Sequence, residues 1–234
     1  MPTAHEIAPD QLFAEADRAR SEAPRRFGVP ARLLFAALDL LYGRASTLEK
    51  FRVLEVVARV PYQAWEQVAF VAITHTHEQP SFARDIQQRV RGARSQQDNE
   101  LLHLLMIEEQ LDQRRFRRSW IRGRLLPQAM AFVYYQISWL LYVVRPQWSY
   151  ALNADFEHHA LHTYLDFVDD HPEFHDTPWV SDFQDDYAPW STLAEFYTSI
   201  ALDERSHRDE SIALVAAARF GDSADGTSDA PSAG

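Results

Sequence analysis

Four segments of helical apolar periodicity each carry a glutamate, and in two of them a histidine follows three residues later. The order along the chain is Glu55, the pair Glu100 and His103, Glu157, and the pair Glu204 and His207. Residues three apart share one face of a helix, so each pair can direct two side chains into one site. Two single glutamates and two Glu-x-x-His pairs on four helices are the ligand pattern of di-iron and di-manganese bundles. The pattern predicts an all-α fold, a ferritin-like four-helix bundle with a di-iron centre.

The donor types and the charge balance favour a metal. Four carboxylates buried in apolar helices are costly to ionise without a compensating charge, and two divalent ions would supply it. The chain has no cysteine, which excludes thiolate zinc sites, iron-sulfur clusters and cysteine nucleophiles. Oxygen and imidazole donors suit iron or manganese, and we expect two iron ions. A single such glutamate would more simply be a surface residue, but six residues in this order favour a site.

Apolar periodicity and glycine scarcity predict helices throughout. Gly accounts for 7 of 234 residues, which disfavours a fold of many short strands and tight turns. Helices are expected over 30–42, from Thr47 with a kink or end at Pro61, and over 81–111, 125–144, 156–168 and 192–219. The helices at 30–42 and 125–144 carry no predicted ligand and are strongly apolar. We therefore add two apolar membrane-interface helices to the bundle.

The two ends of the chain differ from this helical part. Residues 1–20 mix acidic and small apolar side chains and contain no apolar run typical of a secretory signal or transit peptide. The last fourteen residues have no large apolar side chain, which predicts a disordered tail. We expect an N-terminal arm over 1–28, a di-iron domain over 29–220 and a tail over 221–234.

Four motifs resemble those of the alternative oxidases, most closely the plastoquinol terminal oxidase branch. They are residues 54–62 (LEVVARVPY), 99–104 (NELLHL), 157–164 (EHHALHTY) and 203–207 (DERSH). The resemblance covers roughly residues 37 to 210 and includes all six candidate ligands. Two positions depart from the family pattern, because Val56 replaces a Thr and Lys50 stands where an Arg is usual. Lys cannot form the planar fork of hydrogen bonds that Arg provides.

The resemblance implies that residues 29–220 form a di-iron quinol oxidase domain. Such a domain is membrane-attached and couples quinol oxidation to four-electron reduction of dioxygen to water without pumping protons. The resemblance also implies that the six candidate ligands hold the irons and that Tyr164 is redox-active. Tyr164 lies seven residues, two helical turns, after Glu157. Asn99 and Asp203 match positions that orient the ligand histidines. The predicted quinone contacts are Lys50, Leu54 and Ala160. The family also suggests a homodimer.

Basic and aromatic residues flank the long apolar segment at 125–144. They are Arg114, Arg115, Phe116, Arg117, Arg118, Trp120, Arg122 and Arg124 before it, and Arg145, Trp148 and Tyr150 after it. This composition is typical of an anionic lipid interface. A nucleic-acid patch is the alternative, which the formal charge of -11 disfavours. We expect attachment to one leaflet, on the cytoplasmic face of a bacterial-type inner membrane, and no nucleic-acid partner; whether 125–144 spans the membrane is left open.

Other histidines lie outside the ligand set. His158, His159 and His162 lack the intervening Glu of zinc proteases, so we interpret them as helix residues near the site. His75, His77 and His171 are expected at the surface.

Two other functions share the predicted ligand set. A di-iron oxygenase or hydroxylase could act on a quinone precursor or another lipid-soluble metabolite, since one ligand set serves several substrates. A ferritin-like iron binder would instead form a hollow, multi-iron assembly.

Overall fold

The computed structural model describes residue 7 and residues 9–117 and 119–217. Eight α-helices run over Leu12–Arg20 (α1), Val29–Tyr42 (α2), Leu48–Ala58 (α3), Val60–Thr76 (α4), Pro80–Gln113 (α5), Leu126–Val144 (α6), Pro146–Asp169 (α7) and Leu193–Ala216 (α8). Short 3-10 segments cover Pro9–Gln11 and Pro172–His175, and a π-helical turn covers Ile121–Leu125. Apart from one isolated bridge between Pro178 and Thr192, these residues form no strand. The predicted all-α class is confirmed.

Local sequence signals set three of the predicted helix boundaries, whereas α7 begins at Pro146, ten residues before the predicted start at 156. The Thr47 hydroxyl accepts a hydrogen bond from the Lys50 amide and caps α3. The chain breaks at Arg59, just before Pro61, because proline lacks the amide that a continuous helix needs. At α8, Thr192 and Glu195 form a capping box that satisfies amides at the start of the helix. The predicted end of this helix near Arg219 lies outside the described residues.

The four helices that carry the candidate ligands, α3, α5, α7 and α8, surround one core. α7 and α8 pack along most of their length, and α3 lies against both α5 and α7. Buried residues occur on nearly every face of α7, which is the pattern of a helix enclosed by others. The large side chains Phe51, Met106, Phe156 and Phe196 are almost completely buried and belong to one hydrophobic core cluster. The centre of the bundle is therefore shielded from water.

A helix that the sequence analysis did not predict lies within the expected N-terminal arm. Helix α1 buries Leu12, Ala16 and Ala19 completely, and it packs on α8. It was missed because it is only nine residues long and carries just two large apolar side chains, Leu12 and Phe13, among small and charged residues.

Ion pairs between buried or half-buried groups fix the segment that follows α1. Arg205 contacts Glu22 at 2.6 Å, and Arg25 contacts the buried Asp155 at 2.6 Å. The division at residues 28 and 220 stays a prediction, and the predicted tail at 221–234 lies outside the described residues.

Apolar side chains on α2 and α6 face outward. Leu40 is 85% exposed and Phe132 is 66% exposed, and Leu33, Val133, Leu140 and Val143 are also exposed. Contiguous exposed apolar surface of this kind is typical of an interaction face. No helix in the described part of the chain is both long and apolar enough to cross a membrane.

The basic segment before α6 is exposed and is tied to the end of α2. The Tyr42 hydroxyl donates to the Arg122 carbonyl at 2.8 Å, and the Arg122 guanidinium donates to the Leu41 carbonyl at 3.0 Å. The other described arginines of the segment are exposed, and Arg118 lies outside the described residues. These contacts place the cations beside the apolar faces of α2 and α6.

Candidate metal centre

The six candidate ligands lie together in the middle of the bundle. Glu55 comes from α3, Glu100 and His103 from α5, Glu157 from α7, and Glu204 and His207 from α8. None of the six is more than 4% exposed. The helical spacing of each Glu-x-x-His pair turns both of its side chains inward, as the sequence predicted.

Their donor atoms divide into two overlapping groups, within each of which all atoms lie within 4.8 Å of one another. Glu55 and His103 belong to one group, Glu157 and His207 belong to the other, and Glu100 and Glu204 belong to both. Two ions side by side would therefore share Glu100 and Glu204, and each would have its own glutamate and histidine.

The distances around Glu100 and Glu204 fit this bridging arrangement. His103 Nδ1 lies 3.4 Å from Glu204 Oε1 and 3.6 Å from Glu100 Oε2. His207 Nδ1 lies 2.7 Å from Glu100 Oε1 and 3.9 Å from Glu204 Oε2. Each oxygen of the two shared carboxylates thus faces a different histidine. A carboxylate placed in this way can give one oxygen to each of two neighbouring ions.

Several of these buried atoms lack a hydrogen-bond partner in the described structure. They are Glu55 Oε2, Glu100 Oε2, His103 Nδ1, Glu157 Oε2 and both carboxylate oxygens of Glu204. A buried polar atom without a partner is costly, and nearly all such atoms in proteins are paired. Other unpartnered atoms occur elsewhere among the described residues, but these six lie on five candidate ligands whose donor atoms are grouped together, so they fit a site whose missing partners are cations.

The carboxyl pKa values show how strongly the site needs positive charge. Burial raises the pKa of Glu55 to about 8 and that of Glu157 to about 7. Burial, together with the neighbouring Glu100 charge, raises the pKa of Glu204 well above its ordinary value. Burial also acts on Glu100, yet hydrogen bonds with His103 and His207 hold its pKa low. Without metal, bound protons neutralise part of the carboxylate charge, and two divalent ions would displace these protons.

Two buried tyrosines donate hydrogen bonds to Glu55 and Glu157, the two candidate ligands that are not part of a Glu-x-x-His pair. The Tyr164 hydroxyl donates to Glu55 Oε1, and the Tyr62 hydroxyl donates to Glu157 Oε1 at 2.8 Å. Both rings are fully buried. Each bond leaves the Oε2 atom of its glutamate turned towards the site. Tyr164 was predicted beside the centre, whereas no role was predicted for Tyr62.

Asp203 contacts the His103 ring at Nε2, the nitrogen that faces away from the other candidate ligands. Its Oδ2 atom lies 3.3 Å from His103 Nε2 and accepts hydrogen bonds from Tyr187 at 2.8 Å and Asn99 at 3.3 Å. A carboxylate on the far nitrogen fixes the ring so that Nδ1 faces the metal side. The structure therefore places the predicted pair Asn99 and Asp203 next to a candidate ligand, and it adds Tyr187.

Replacing Asp203 by Asn is expected to weaken metal binding by about 10- to 100-fold, the range measured for such supporting residues. The uncharged amide would no longer stabilise the His103 orientation that points Nδ1 at the ions. Competition with a metal-sensitive chelating dye measures the change. Asp98→Asn, an exposed position on α5, is the matched control and should bind as the unmodified chain does. Equal affinity for all three proteins would contradict the role given to Asp203.

The predicted quinone contacts are buried. The Lys50 ammonium donates to Asp39 at 2.7 Å and to the Gly43 carbonyl at 3.1 Å, so it is engaged with α2. Leu54 is 1% exposed and Ala160 is 3% exposed. Their role in substrate binding stays a prediction.

The remaining histidines occupy varied positions. His158 is buried and lies 3.3 Å from Arg208, and burial lowers its pKa to about 4. His159 stacks on Phe35 with ring centroids 4.0 Å apart, and burial lowers its pKa to about 4 too. His75 and His77 are exposed as expected. His171 differs, because it is half-buried and stacks on Phe174.

Sequence reasoning assigned no role to three residues that touch this network. Asn153 donates to the Tyr62 hydroxyl at 3.2 Å, and its position four residues before Glu157 was a usable signal, since such residues share a helix face. Tyr62 follows Glu55 by two turns, but the helix break at Arg59 turns it towards Glu157 instead. Tyr187 lies in the irregular connection before α8, where no periodicity could have marked it.

Comparison with known proteins gives two matches. The family model described as alternative oxidase matches residues 31–215. A curated relative, "Ubiquinol oxidase 4, chloroplastic/chromoplastic" from Arabidopsis thaliana, is 36% identical over 132 residues. The match covers 56% of this chain and 34% of the relative, so the chain spans about a third of the relative's length. The family match includes all six candidate ligands.

Proposed function

The chain belongs to the alternative oxidase family, and from this premise we propose that it is a membrane-associated quinol oxidase with two iron ions. It would oxidise two quinols and reduce one dioxygen to two waters, without pumping protons. One observation carries the proposal: six buried oxygen and nitrogen ligands on four helices, with unpartnered donor atoms turned towards one another. The relative's printed name, a ubiquinol oxidase, supports the choice of substrate class.

The proposed ligands are Glu55, Glu100, His103, Glu157, Glu204 and His207. Their four carboxylates would balance two divalent ions, and their oxygen and imidazole donors suit iron. When bound, the irons would supply the redox chemistry that carries electrons to dioxygen. The described protein groups around them are buried, which keeps bulk water away from the reacting atoms.

We infer that Tyr164 moves a proton together with an electron. Its hydroxyl already donates to Glu55 Oε1, so the proton has an acceptor when the ring is oxidised. The ring stacks on Phe51 with centroids 4.2 Å apart, which fixes its position. Asn99 and Asp203 would meanwhile hold His103 in its ligand orientation. These contacts support a redox role for Tyr164.

Replacing Tyr164 by Phe is expected to leave iron bound and to lower turnover by at least tenfold. The variant keeps the ring that packs on Phe51 and loses the hydroxyl that donates to Glu55. Tyr197→Phe is the matched control, because Tyr197 is equally buried and its hydroxyl lacks a hydrogen-bond partner among the described residues. Oxygen uptake per bound iron is the measurement. Full activity of the Tyr164 variant would remove this residue from the mechanism.

The exposed apolar faces of α2 and α6, with the arginines beside them, support attachment to one leaflet of a membrane. A quinol dissolved in that leaflet would reach the protein from the apolar side. The relative's name assigns that protein to chloroplasts or chromoplasts. A bacterial-type inner membrane as the location of this chain stays a prediction from sequence composition, and so does a homodimer.

The test is oxygen uptake by the iron-loaded chain in lipid vesicles supplied with a quinol. The proposal predicts two quinols consumed per dioxygen and a product that has lost two hydrogen atoms. Mass analysis of the product separates the rival oxygenase, which would add an oxygen atom to its substrate. Absence of quinol-dependent uptake by the iron-loaded chain would refute the proposal.

A further inference from the structure

A cavity of about 240 Å³ lies between α4, α5 and α8, with Tyr142 of α6 and Tyr150 of α7 also in its wall, and none of the predicted quinone contacts lines it. Its lining is largely apolar and includes Trp65, Ala69, Val90, Ala93, Tyr142 and Tyr150. The aromatic rings of this set form a cluster together with Tyr62, apart from the main core. Flat, rigid rings lining a concave space are typical of sites for small planar ligands.

A second cavity of about 300 Å³ continues from the first, sharing Ala69, Tyr142 and Tyr150 in its lining. Its wall also includes Val143, which is 50% exposed and belongs to the outward apolar face of α6. The neighbouring residues Phe70 and Val71 on α4 are exposed as well. The space therefore runs from the apolar surface inward, a shape that suits a ring carrying an apolar tail.

Polar groups converge within this apolar space. The hydroxyls of Tyr142 and Tyr150 lie 3.0 Å apart, and the cationic Arg89 lines both cavities together with these two tyrosines. The acyl chain of a lipid has no hydrogen-bonding atoms and cannot pair with these polar groups. A ring with an oxygen at each end can exchange hydrogen bonds with them.

Gly92 leaves room for an occupant of the first cavity. It lies inside the 34-residue helix α5 and lines the cavity, and a Cβ atom added there would meet nothing within 4 Å. Glycine weakens a helix interior relative to alanine. Its presence at this point thus costs stability and keeps the cavity open.

An unbroken set of aromatic contacts joins the cavity to the metal centre. The Trp65 ring lies 4.7 Å from that of Tyr150 and 5.2 Å from that of Tyr62, centroid to centroid. Tyr62 in turn donates to Glu157 Oε1. Tyrosine and tryptophan are the side chains most readily oxidised and reduced by one electron apart from the sulfur-containing ones. The cavity is thereby connected to the Glu157 end of the ligand set.

We propose that this cavity binds the ring of a quinol, with its tail in the second cavity, and that Trp65 and Tyr62 connect it electronically to the metal centre. The proposal rests on the quinol oxidase function proposed above and adds a site distinct from Lys50, Leu54 and Ala160.

The electron and proton balance of this route is simple. Oxidation of the ring to a quinone releases two electrons and two protons. The electrons would pass singly through Trp65 and Tyr62 to the Glu157 end of the candidate ligand set, and the dioxygen of the proposed activity is the oxidant that accepts them. When Tyr62 gives up an electron, its hydroxyl proton moves to Glu157 Oε1. The proton returns to Tyr62 when Trp65 donates an electron to the oxidised tyrosine. The two quinol protons leave to water beside Glu66 and Glu210, which line the cavity.

Photolabelling tests the site without depending on turnover. The full chain, in detergent micelles, is irradiated with an azido-substituted benzoquinone carrying a decyl tail, and the labelled peptides are identified by mass spectrometry. We expect label on Trp65, Tyr142 or Tyr150. Gly92→Leu should fill the cavity and lower this label at least tenfold, whereas Gly92→Ala, the matched control, should keep it.

Three results would overturn the proposal. They are equal labelling of these residues in Gly92→Leu, label confined to other parts of the chain, and displacement of the label by excess fatty acid with no displacement by excess unlabelled quinone. The last would make the cavity a lipid site. Oxygen uptake by the unmodified iron-loaded chain is measured in parallel. Active protein with failed labelling refutes this site alone, and inactive protein refutes the proposed function.

Discussion

Replacing Glu204 by Ala is expected to abolish binding of both iron ions, and with it all quinol-dependent oxygen uptake. Glu204 belongs to both groups of donor atoms, and its two oxygens face His103 and His207 separately. Neither ion would keep its full set of ligands, so the loss is not confined to one half of the centre. Iron per chain, measured by elemental analysis after gel filtration, should fall from about two to near zero, in line with the shared-ligand geometry.

Folding of this variant can be separated from its metal binding. In the absence of metal, Glu204 is a buried carboxyl with two unpartnered oxygens, and removing such a group costs little stability. Glu204→Gln keeps the volume and provides the isosteric comparison. Iron should raise the unfolding temperature of the unmodified chain and of Glu78→Ala, an exposed control, but of neither Glu204 variant. An iron-induced rise in the Glu204 variants would show that the ions bind elsewhere.

The second large effect is a loss of stability with rising pH when the metal is absent. The folded pKa values of Glu55 and Glu157, about 8 and about 7, lie above the ordinary value of 4.5. Between pH 4.5 and these folded pKa values, the folded chain binds more protons than the unfolded chain. The free energy of unfolding therefore falls as pH rises through this range. Burial also raises the pKa of Glu204 in the same direction. The metal-free chain should therefore be most stable near pH 5 and least stable near pH 9.

The size of this effect should be several kcal/mol, equivalent to a fall in the melting temperature on the order of 10 °C. Calorimetry of the chelator-treated chain across this pH range measures it. Glu55→Gln should flatten the upper part of the curve, because it removes the group with the pKa of about 8. With iron bound the slope should reverse, since protons compete with the metal for the same ligands. A metal-free melting temperature that rises from pH 5 to pH 9 would contradict the burial and charge of the site.

The clustering of the six candidate ligands was predictable from sequence because helices repeat regularly. Glu100 and His103 stand three residues apart on a helix, and this spacing alone places them on one face. Glu55 and Glu157 stood out as charges within apolar helical segments. The bundle follows from the need to bring these buried charges together, and the structure has the helices that this requires.

Features set by irregular backbone or by tertiary packing were not predictable in the same way. Tyr187 reaches Asp203 from a connection without helical periodicity. Tyr62 contacts Glu157 because the chain breaks at Arg59, and the sequence showed a break at Pro61 but not the direction taken after it. The pairing of Lys50 with Asp39 depends on how α2 packs on α3. The role proposed for Gly92 was not predictable, because the cavity that it lines is formed only when neighbouring helices pack together.

Anomalous diffraction from crystals of the iron-loaded chain tests the central claim most directly. We expect two iron peaks per chain, one beside Glu55 and His103 and the other beside Glu157 and His207, with Glu100 and Glu204 contacting both. A single peak, or iron bound away from these six side chains, would contradict it.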